Sequence, residues 1–534
     1  RTPEEASLAE IWREVLRLDR VGLEDDFFEL GGHSLLATQV LSRVRRELGV
    51  ELPLRVLFEA STVRALSERL HAGEAAHGPV LAPVERAGLA PLSFAQERMW
   101  FLERMSPDAG MYNMPDALAL DGPLDAEALR AALETVVARH EVLRTRYVEV
   151  DGVPMQDVLP PPRFHLPVEE VAEEAVPGRM RADGRAPFDL GAGIPIRARL
   201  LRMAPERHVL LLNVHHIAAD GWSWGVLLRE MTLAYRAALR GVDAPLAPLP
   251  VQYADYAAWQ RAWLHGPVME AQLAFWRGRL AGAPALLELP YDRPRPAEQD
   301  EEGGVLHAAL PADVARAARL LARRDGATLY MVLLAAWTAT LHRWSGETDV
   351  VVGSPIAGRA RPETEGLIGL FVNTLAMRTD VAGDPTFRTL LRRVRETALE
   401  AYAHQDVPFE QMVQETGVPR SLSHGPVFQV MFGLQNVPHG GLQMEGVRAR
   451  ALPDAARTSR FDLMVLVEEE GDDLRAYVEY ATALFDAATV ERLAGHFHSL
   501  LRAAVAAPDT PVGALPMLPA EERALVVERW NATE

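Results

Sequence analysis

Cysteine is absent from all 534 residues, and so is lysine. Without cysteine the chain has no disulfide and no thiol nucleophile of its own, so thioester chemistry needs a thiol brought in from outside. Without lysine there is no Schiff-base amine and no phosphate-loop lysine. All 55 basic residues are arginine, a bias that fits a GC-rich genome. A basic stripe with interleaved aromatics is missing, and the net charge of -19 argues against nucleic acid as a partner. No apolar run is long enough to span a bilayer. The longest candidate, Leu329 to Trp344, is broken by Thr338, Thr340, His342 and Arg343 and reads as a buried helix. No signal peptide is visible, so no membrane association and a cytoplasmic location are expected. His307, His342, His404 and His424 lack metal-ligand spacing, and no metal is expected. The first residue is Arg1 rather than Met, which reads as a fragment of something longer.

What is present reads as a multidomain chain. At roughly 150 residues per domain, 534 residues imply three or four structural units. Thr2-Pro3-Glu4-Glu5 is a strong helix start, with a threonine cap, proline in the first turn and glutamate three after the cap. Leu8, Ile11, Trp12, Val15 and Leu16 then line one face. A loop leads to a second helix carrying Leu36, Val40, Val44 and Leu48, and a third spans about Thr62 to Leu70. These predict a small all-α bundle of three or four helices. Beyond an Ala/Gly/Pro-rich stretch the pattern turns mixed α/β from Pro91. Val209 to His216 is a near-continuous apolar strand, as in a buried sheet, and Ser223 to Leu239 is the helix after it. The second half repeats the logic: helix Ala327 to Trp344, strands Asp349 to Ser354 and Phe371 to Arg378, helix Thr386 to Ala403. Two α/β lobes of similar size are expected.

Two constellations carry chemistry. In the first, Ser34 follows Gly31-Gly32-His33 at the start of the apolar-periodic second helix. A helix N-terminus offers free N–H groups and partial positive charge, which suits a phosphate ester, and the glycines leave the backbone open to a modifying enzyme. The stretch Asp26-Phe27-Phe28-Glu29-Leu30-Gly31-Gly32-His33-Ser34-Leu35-Leu36 resembles the 4′-phosphopantetheine attachment site of peptidyl carrier proteins. The resemblance implies that Ser34 bears covalent 4′-phosphopantetheine, added by a phosphopantetheinyl transferase. Leu35 and Leu36 are partly core, with their exposed parts suited to docking.

The second constellation, His215-His216-Ile217-Ala218-Ala219-Asp220-Gly221, follows the buried strand directly. A histidine pair at a strand end is more often structural than catalytic, but this HHxxxDG spacing resembles the signature of condensation domains of nonribosomal peptide synthetases, relatives of chloramphenicol acetyltransferase. Further segments resemble that family's motifs in order: Pro91 to Trp100, Arg139 to Thr145, Tyr253 to Gln260, Ile368 to Leu375, His404 to Glu410, and Arg420 to Gln429 with one or two substitutions. The family implies that His216 faces the acceptor α-amino group. A histidine suits a general base, yet an α-amino group with a pKa of about 8 is already partly neutral, so base and orienter both stay open. His215 is expected to be structural. Asp220 is expected in an ion pair, with Arg144 as its candidate partner. Gly221 would keep the backbone open to a thioester and offer an N–H to a developing oxyanion. Asn373 is expected to support the site at the lobe interface.

Two serine patterns compete. Gly221-Trp222-Ser223-Trp224-Gly225 satisfies GxSxG, but hydrolases of that kind place histidine after the serine, and here the pair precedes it. Ser223 is instead expected to cap a helix. Gly32-His33-Ser34 has Leu36 where a hydrolase elbow needs glycine, and no strand precedes it.

The expected organisation is a peptidyl carrier domain (1-75), a linker (76-90), a two-lobed α/β condensation domain like chloramphenicol acetyltransferase (91-265 and 266-515), and an exit linker (516-534) toward an adenylation domain. The implied function is transfer of an aminoacyl or peptidyl thioester from Ser34 to the amine of an aminoacyl thioester on a downstream carrier, with an upstream adenylation domain loading the donor. The first and fifth motifs resemble the subtype that takes an L-configured donor. The rival functions are a non-catalytic recruitment platform and, more remotely, a thioester hydrolase.

Overall fold

The computed structural model describes residues 2–70, 74–75, 79–85, 88–105, 110–300, 302–418, 421–435, 441–452, 458–471 and 473–530. Three cores organise them, one in an N-terminal helical bundle and one in each of two α/β lobes. In the bundle the first helix, Pro3–Leu16, begins with the capping box expected from Thr2 and Glu5. Its face of Leu8, Ile11, Trp12 and Val15 packs on Val40 and Val44 of the helix Ser34–Leu48, with Trp12 edge-on to Phe27 at 5.0 Å. Short helices Leu54–Glu59 and Val63–Leu70 complete it.

The first lobe is built on a five-stranded sheet ordered Arg448–Ala451, Asn113–Asp121, Arg207–His215, Ile196–Ala204, Val168–Glu170. Arg207–His215 is buried at every position after Arg207. Leu210, Leu212 and Val214 face the main core beneath helices Ala126–Arg139 and Gly221–Leu239, while Val209 and Leu211 face a small second cluster. Apolar side chains on both faces of a pleat explain the unbroken run in the sequence. The second lobe holds a six-stranded sheet ordered Gly303–Leu310, Asp473–Ala481, Leu463–Glu470, Val430–Gln435, Asp349–Ile356, Asn373–Asp380. Helix Leu329–Ser345 runs through its core, buried continuously from Tyr330 to Leu341. Among the described residues no helix is long and apolar enough to cross a membrane.

The lobes are not consecutive pieces of chain. Strand Arg448–Ala451 completes the sheet of the first lobe, and Leu367, Ile368, Leu370 and Phe371 lie in that lobe's core, although all follow residue 266. Of the linker expected at 76-90, residues 76–78 and 86–87 lie outside the described residues. The described remainder is tied down: Leu81 is buried, Pro79 O accepts from Trp259 Nε1 at 2.8 Å, and Val84 N donates to Asp255 Oδ1 at 3.1 Å. The expected exit linker includes a helix, Ala520–Ala524, held where Glu522 meets His496 Nε2 at 2.7 Å; residues 531–534 lie outside the described residues.

The bundle rests on the second lobe. Phe58 is buried in that lobe's core cluster, with Phe28 and Leu54 packed beside it, against helix Phe387–Ala403. Arg395 lies 5.9 Å over the Phe58 ring, and Arg43–Glu365 (3.5 Å) and Arg55–Glu396 (3.3 Å) flank the apolar seat. Arg55–Glu396 is exposed and Arg43–Glu365 half-buried at a long 3.5 Å; pairs of this kind contribute little, so the apolar contact carries most of the docking. Phe58→Glu is expected to detach the bundle while leaving all three cores folded. Small-angle scattering checks this: the radius of gyration should rise with no loss of helical signal by circular dichroism.

Candidate active site

The strand Arg207–His215 ends at the histidine pair. His216 N donates to Tyr112 O at 2.8 Å, a tight turn follows, and Asp220 caps the helix Gly221–Leu239. The two histidines have different fates. His215 is fully buried; its Nδ1 accepts from Ile217 N at 3.1 Å and its Nε2 meets Glu103 at 3.2 Å, so both ring nitrogens hold structure. His216 Nδ1 lies 2.8 Å from Ala219 O, which fixes the proton on Nδ1 and leaves the Nε2 lone pair without a partner among the described residues. Burial, reinforced by the Arg460 guanidinium, pulls the His216 pKa down to about 4. The imidazole is therefore neutral near pH 7.

His216 lines a cavity of about 1300 Å³ that runs between the lobes and reaches the N-terminal bundle at Thr38, Leu41, Ser42 and Arg45. Arg460 crosses from the second lobe, stacks 4.3 Å over the Tyr112 ring and donates to Met111 O, placing its charge beside His216. Arg98 and Glu410 pair across the lobes at 2.6 Å, also at the cavity wall. Ser93 and Gln96, in the first motif, hold the histidine turn from behind. Gln96 Nε2 reaches Ile217 O at 3.4 Å, and Ser93 Oγ bonds the Tyr253 hydroxyl at 2.8 Å.

Asp220 is 2% exposed and saturated with donors. Its Oδ1 accepts from Ser223 N (3.0 Å), Ser223 Oγ (2.7 Å) and Arg359 Nη2 (3.0 Å), and its Oδ2 accepts from Phe371 N (2.9 Å). Arg359, 1% exposed, also donates to Thr364 O and Leu367 O and lies 4.1 Å over the Phe371 ring. The partner expected for Asp220, Arg144, is elsewhere: it donates to Ala138 O and Leu159 O and lies 3.7 Å from Glu141. Arg144 ties the end of helix Ala126–Arg139 to Leu159, just past the strand pair that follows, whereas Arg359 arrives on the segment that crosses over from the second lobe.

Other expectations are refined. Ser223 is not the helix cap; Asp220 is, with Ser223 as the third residue of a capping box. Ser223 is 1% exposed and also bonded to Gly369, which removes it as a hydrolytic nucleophile. Gly221 does not line the cavity, and a Cβ added there meets nothing within 4 Å. Asn373 braces backbone within the second lobe, donating to Gln405 O and Val407 O and accepting from Phe409 N. Gly32 is required by the loop itself, because an added Cβ would fall 2.3 Å from the Phe27 ring and 2.5 Å from Phe27 O.

Ser34 stands at the first turn of Ser34–Leu48, whose cap residue His33 makes no side-chain capping bond. Its Oγ is buried without a well-formed hydrogen bond and faces the Tyr402 hydroxyl. A buried hydroxyl lacking a partner, at a helix N-terminus beside the cavity, fits a phosphate ester.

Residues 86–527 match the family described as Condensation domain, and residues 6–70 match Phosphopantetheine attachment site. The chain belongs to the condensation-domain family of nonribosomal peptide synthetases. A phosphopantetheine-carrying domain precedes its condensation domain, and its cofactor is covalent 4′-phosphopantetheine. It is 41% identical to the dimodular nonribosomal peptide synthase of Bacillus subtilis over 545 residues, covering 100% of this chain and 23% of that protein. It is 42% identical to phosphinothricin tripeptide synthetase PhsB of Streptomyces viridochromogenes, over 98% of this chain and 45% of that one. Three polypeptides of the linear gramicidin synthase of Brevibacillus parabrevis are 46–48% identical over all of this chain, which spans only 7–11% of their length. The chain thus covers a small part of its relatives. Among solved structures, the X-domain from teicoplanin biosynthesis aligns with a TM-score of 0.76 at 32% identity, over 82% of this chain and 100% of that one. The first condensation domain of the calcium-dependent antibiotic synthetase aligns at 0.68 and 22% identity, over 82% and 100%, a likeness of fold.

The residues not singled out in the sequence are Arg359, Arg460, Glu103 and Tyr402. Arg359 had one local sign, Gly358 before it: that glycine has φ +64 and a Cβ there would fall 1.9 Å from Phe371 O. Arg359→Met leaves a buried carboxylate unpaired and is expected to lower the condensation domain's unfolding free energy by about 3–5 kcal/mol, read by urea denaturation. The low His216 pKa sets a second expectation. The neutral ring is the working form, so its contribution is present above about pH 4 and is lost as pH falls through that value. The pH–rate profile of single-turnover transfer should show no inflection from His216 near 6.5; one that vanishes in His216→Ala would contradict this assignment.

Proposed function

We propose that this chain forms peptide bonds: the donor acyl group, held as a thioester on the Ser34 carrier, passes to the α-amine of an aminoacyl thioester on a downstream carrier. The observation that carries this reading is the neutral His216, with a free Nε2 on the wall of a cavity that extends to the docked carrier. Phosphopantetheine bound to Ser34 supplies the thiol that the cysteine-free chain lacks, in the form of a reactive thioester.

His216 Nε2 accepts a hydrogen bond from the attacking amine and aims its lone pair, while Ala219 O prevents the ring from turning. As the C–N bond forms and the C–S bond breaks, the amine sheds a proton and the departing sulfur takes one. A base with a pKa of about 4 is too weak to drive deprotonation on its own, which favours His216 as the group that orients the amine and relays its proton. Arg460 contributes positive charge at the same point. Asp220 and Arg359 hold the turn and do not touch the reacting atoms. An upstream adenylation domain and a phosphopantetheinyl transferase would prepare the donor, and the motif resemblance favours an L-configured donor residue.

The X-domain has also been solved in complex with OxyB, so this fold can serve as a docking platform. The open His216 favours catalysis here. Intact-mass analysis separates the two: Ser34 is loaded with an aminoacyl-phosphopantetheine and challenged with a soluble aminoacyl thioester. Peptide-bond formation predicts loss of the acyl mass from Ser34 with a dipeptidyl thioester appearing, slowed at least about 100-fold by His216→Ala, the usual scale of a positioned proton-transfer group. Equal product from the variant would point to the platform reading, and free acid to hydrolysis.

A further inference from the structure

Tyr402 sits on the last turn of helix Phe387–Ala403, on the cavity wall and against the carrier domain. Its hydroxyl faces Ser34 Oγ, which has no well-formed hydrogen bond. Burial pushes the Tyr402 pKa up to about 12, so the hydroxyl keeps its proton and is available as a donor. The atom it faces is the one esterified in the working carrier, where an anionic phosphodiester replaces a neutral hydroxyl. Helix Ser34–Leu48 turns its uncapped N-terminus to the same place. Ser34 is on the carrier and Tyr402 on the second lobe, so the two meet only when the carrier is docked.

We propose that Tyr402 is a positioning residue that donates a hydrogen bond to a phosphodiester oxygen of the group on Ser34, registering the docked carrier and directing its arm into the cavity. This rests on the carrier-borne reaction described above. The contact involves no covalent step. It makes the docked state sensitive to whether Ser34 is modified: the seat at Phe58 is apolar and indifferent to the modification, whereas a donor at Tyr402 favours the phosphodiester, because hydrogen bonds to charged acceptors are the stronger ones.

The test uses the full chain with Ser34 in its phosphopantetheine form, in three versions: unaltered, Tyr402→Phe, and Phe58→Glu as an undocked reference. The first readout is the ³¹P resonance of the phosphodiester, which requires no turnover. The unaltered chain should differ from the Phe58→Glu reference, and Tyr402→Phe should move toward that reference. The second readout compares a donor loaded on Ser34 with a soluble acyl thioester that has no phosphodiester. Tyr402→Phe should slow the carrier-borne reaction about tenfold more than the soluble one, the scale of one hydrogen bond to a charged acceptor. An unchanged ³¹P shift, or equal losses on both donors, would overturn the proposal. If the unaltered chain formed no peptide from either donor, the functional reading would fail, while the ³¹P comparison would still decide the role of Tyr402.

Discussion

The turn that carries His215 and His216 depends on one buried ion pair. Asp220 belongs to the first lobe and caps the helix after the histidines, while Arg359 arrives on a segment that leaves the second lobe. Burying two charges is expensive unless further hydrogen bonds compensate, and here most polar atoms find partners, Arg359 Nε being buried without one. Here Asp220 accepts from backbone at Ser223 and Phe371, and Arg359 donates to two carbonyls and covers an aromatic ring. Because an ion pair of this kind roughly breaks even against apolar packing, its value lies in geometry: it holds helix start, histidine turn and interlobe crossing in a single arrangement. His140 ties the same crossing segment by hydrogen bonds rather than by charge: burial lowers its pKa, its Nε2 lies 2.8 Å from Glu230, and its Nδ1 accepts from Ile368 N.

That rigidity explains the division of labour between adjacent histidines. At the end of a buried strand, alternate residues face opposite ways. His215 faces the packed interior and is consumed by Glu103 and Ile217. One residue on, His216 has left the ladder, gives its Nδ1 proton to the turn and keeps Nε2 for the cavity. Burial keeps the ring neutral, and the Arg460 charge acts in the same direction. A charged imidazolium would have no lone pair to offer an amine.

The carrier contributes in a different way. Its seat on the second lobe is aromatic and aliphatic, flanked by partly exposed ion pairs, as suits a domain that must bind and leave. One continuous cavity is lined both by carrier residues such as Thr38 and Arg45 and by His216.

Much of this was legible in the sequence because its signals are local. The Thr2 capping box, the apolar stripe of the Ser34 helix and the two-faced apolar run before His215 each lie within a few residues and follow the 3.6- and 2-residue periods of helix and strand, although the cap after His216, expected at Ser223, lies at Asp220. The ordered motifs pointed by resemblance to a phosphopantetheine-carrying domain followed by a condensation domain, the two families that match. The tertiary structure decided what local pattern cannot encode. The partner of Asp220 is Arg359, 139 residues away, rather than the arginine of the nearby motif. Ser223, expected to cap its helix, is instead the buried third residue of a capping box led by Asp220. Ser34 faces Tyr402 without a well-formed hydrogen bond, and parts of the second half of the chain complete the first lobe. Local conformational preference acts over one or two turns, whereas burial, ion pairing and the charge state of His216 are set by which distant segments the chain brings into contact.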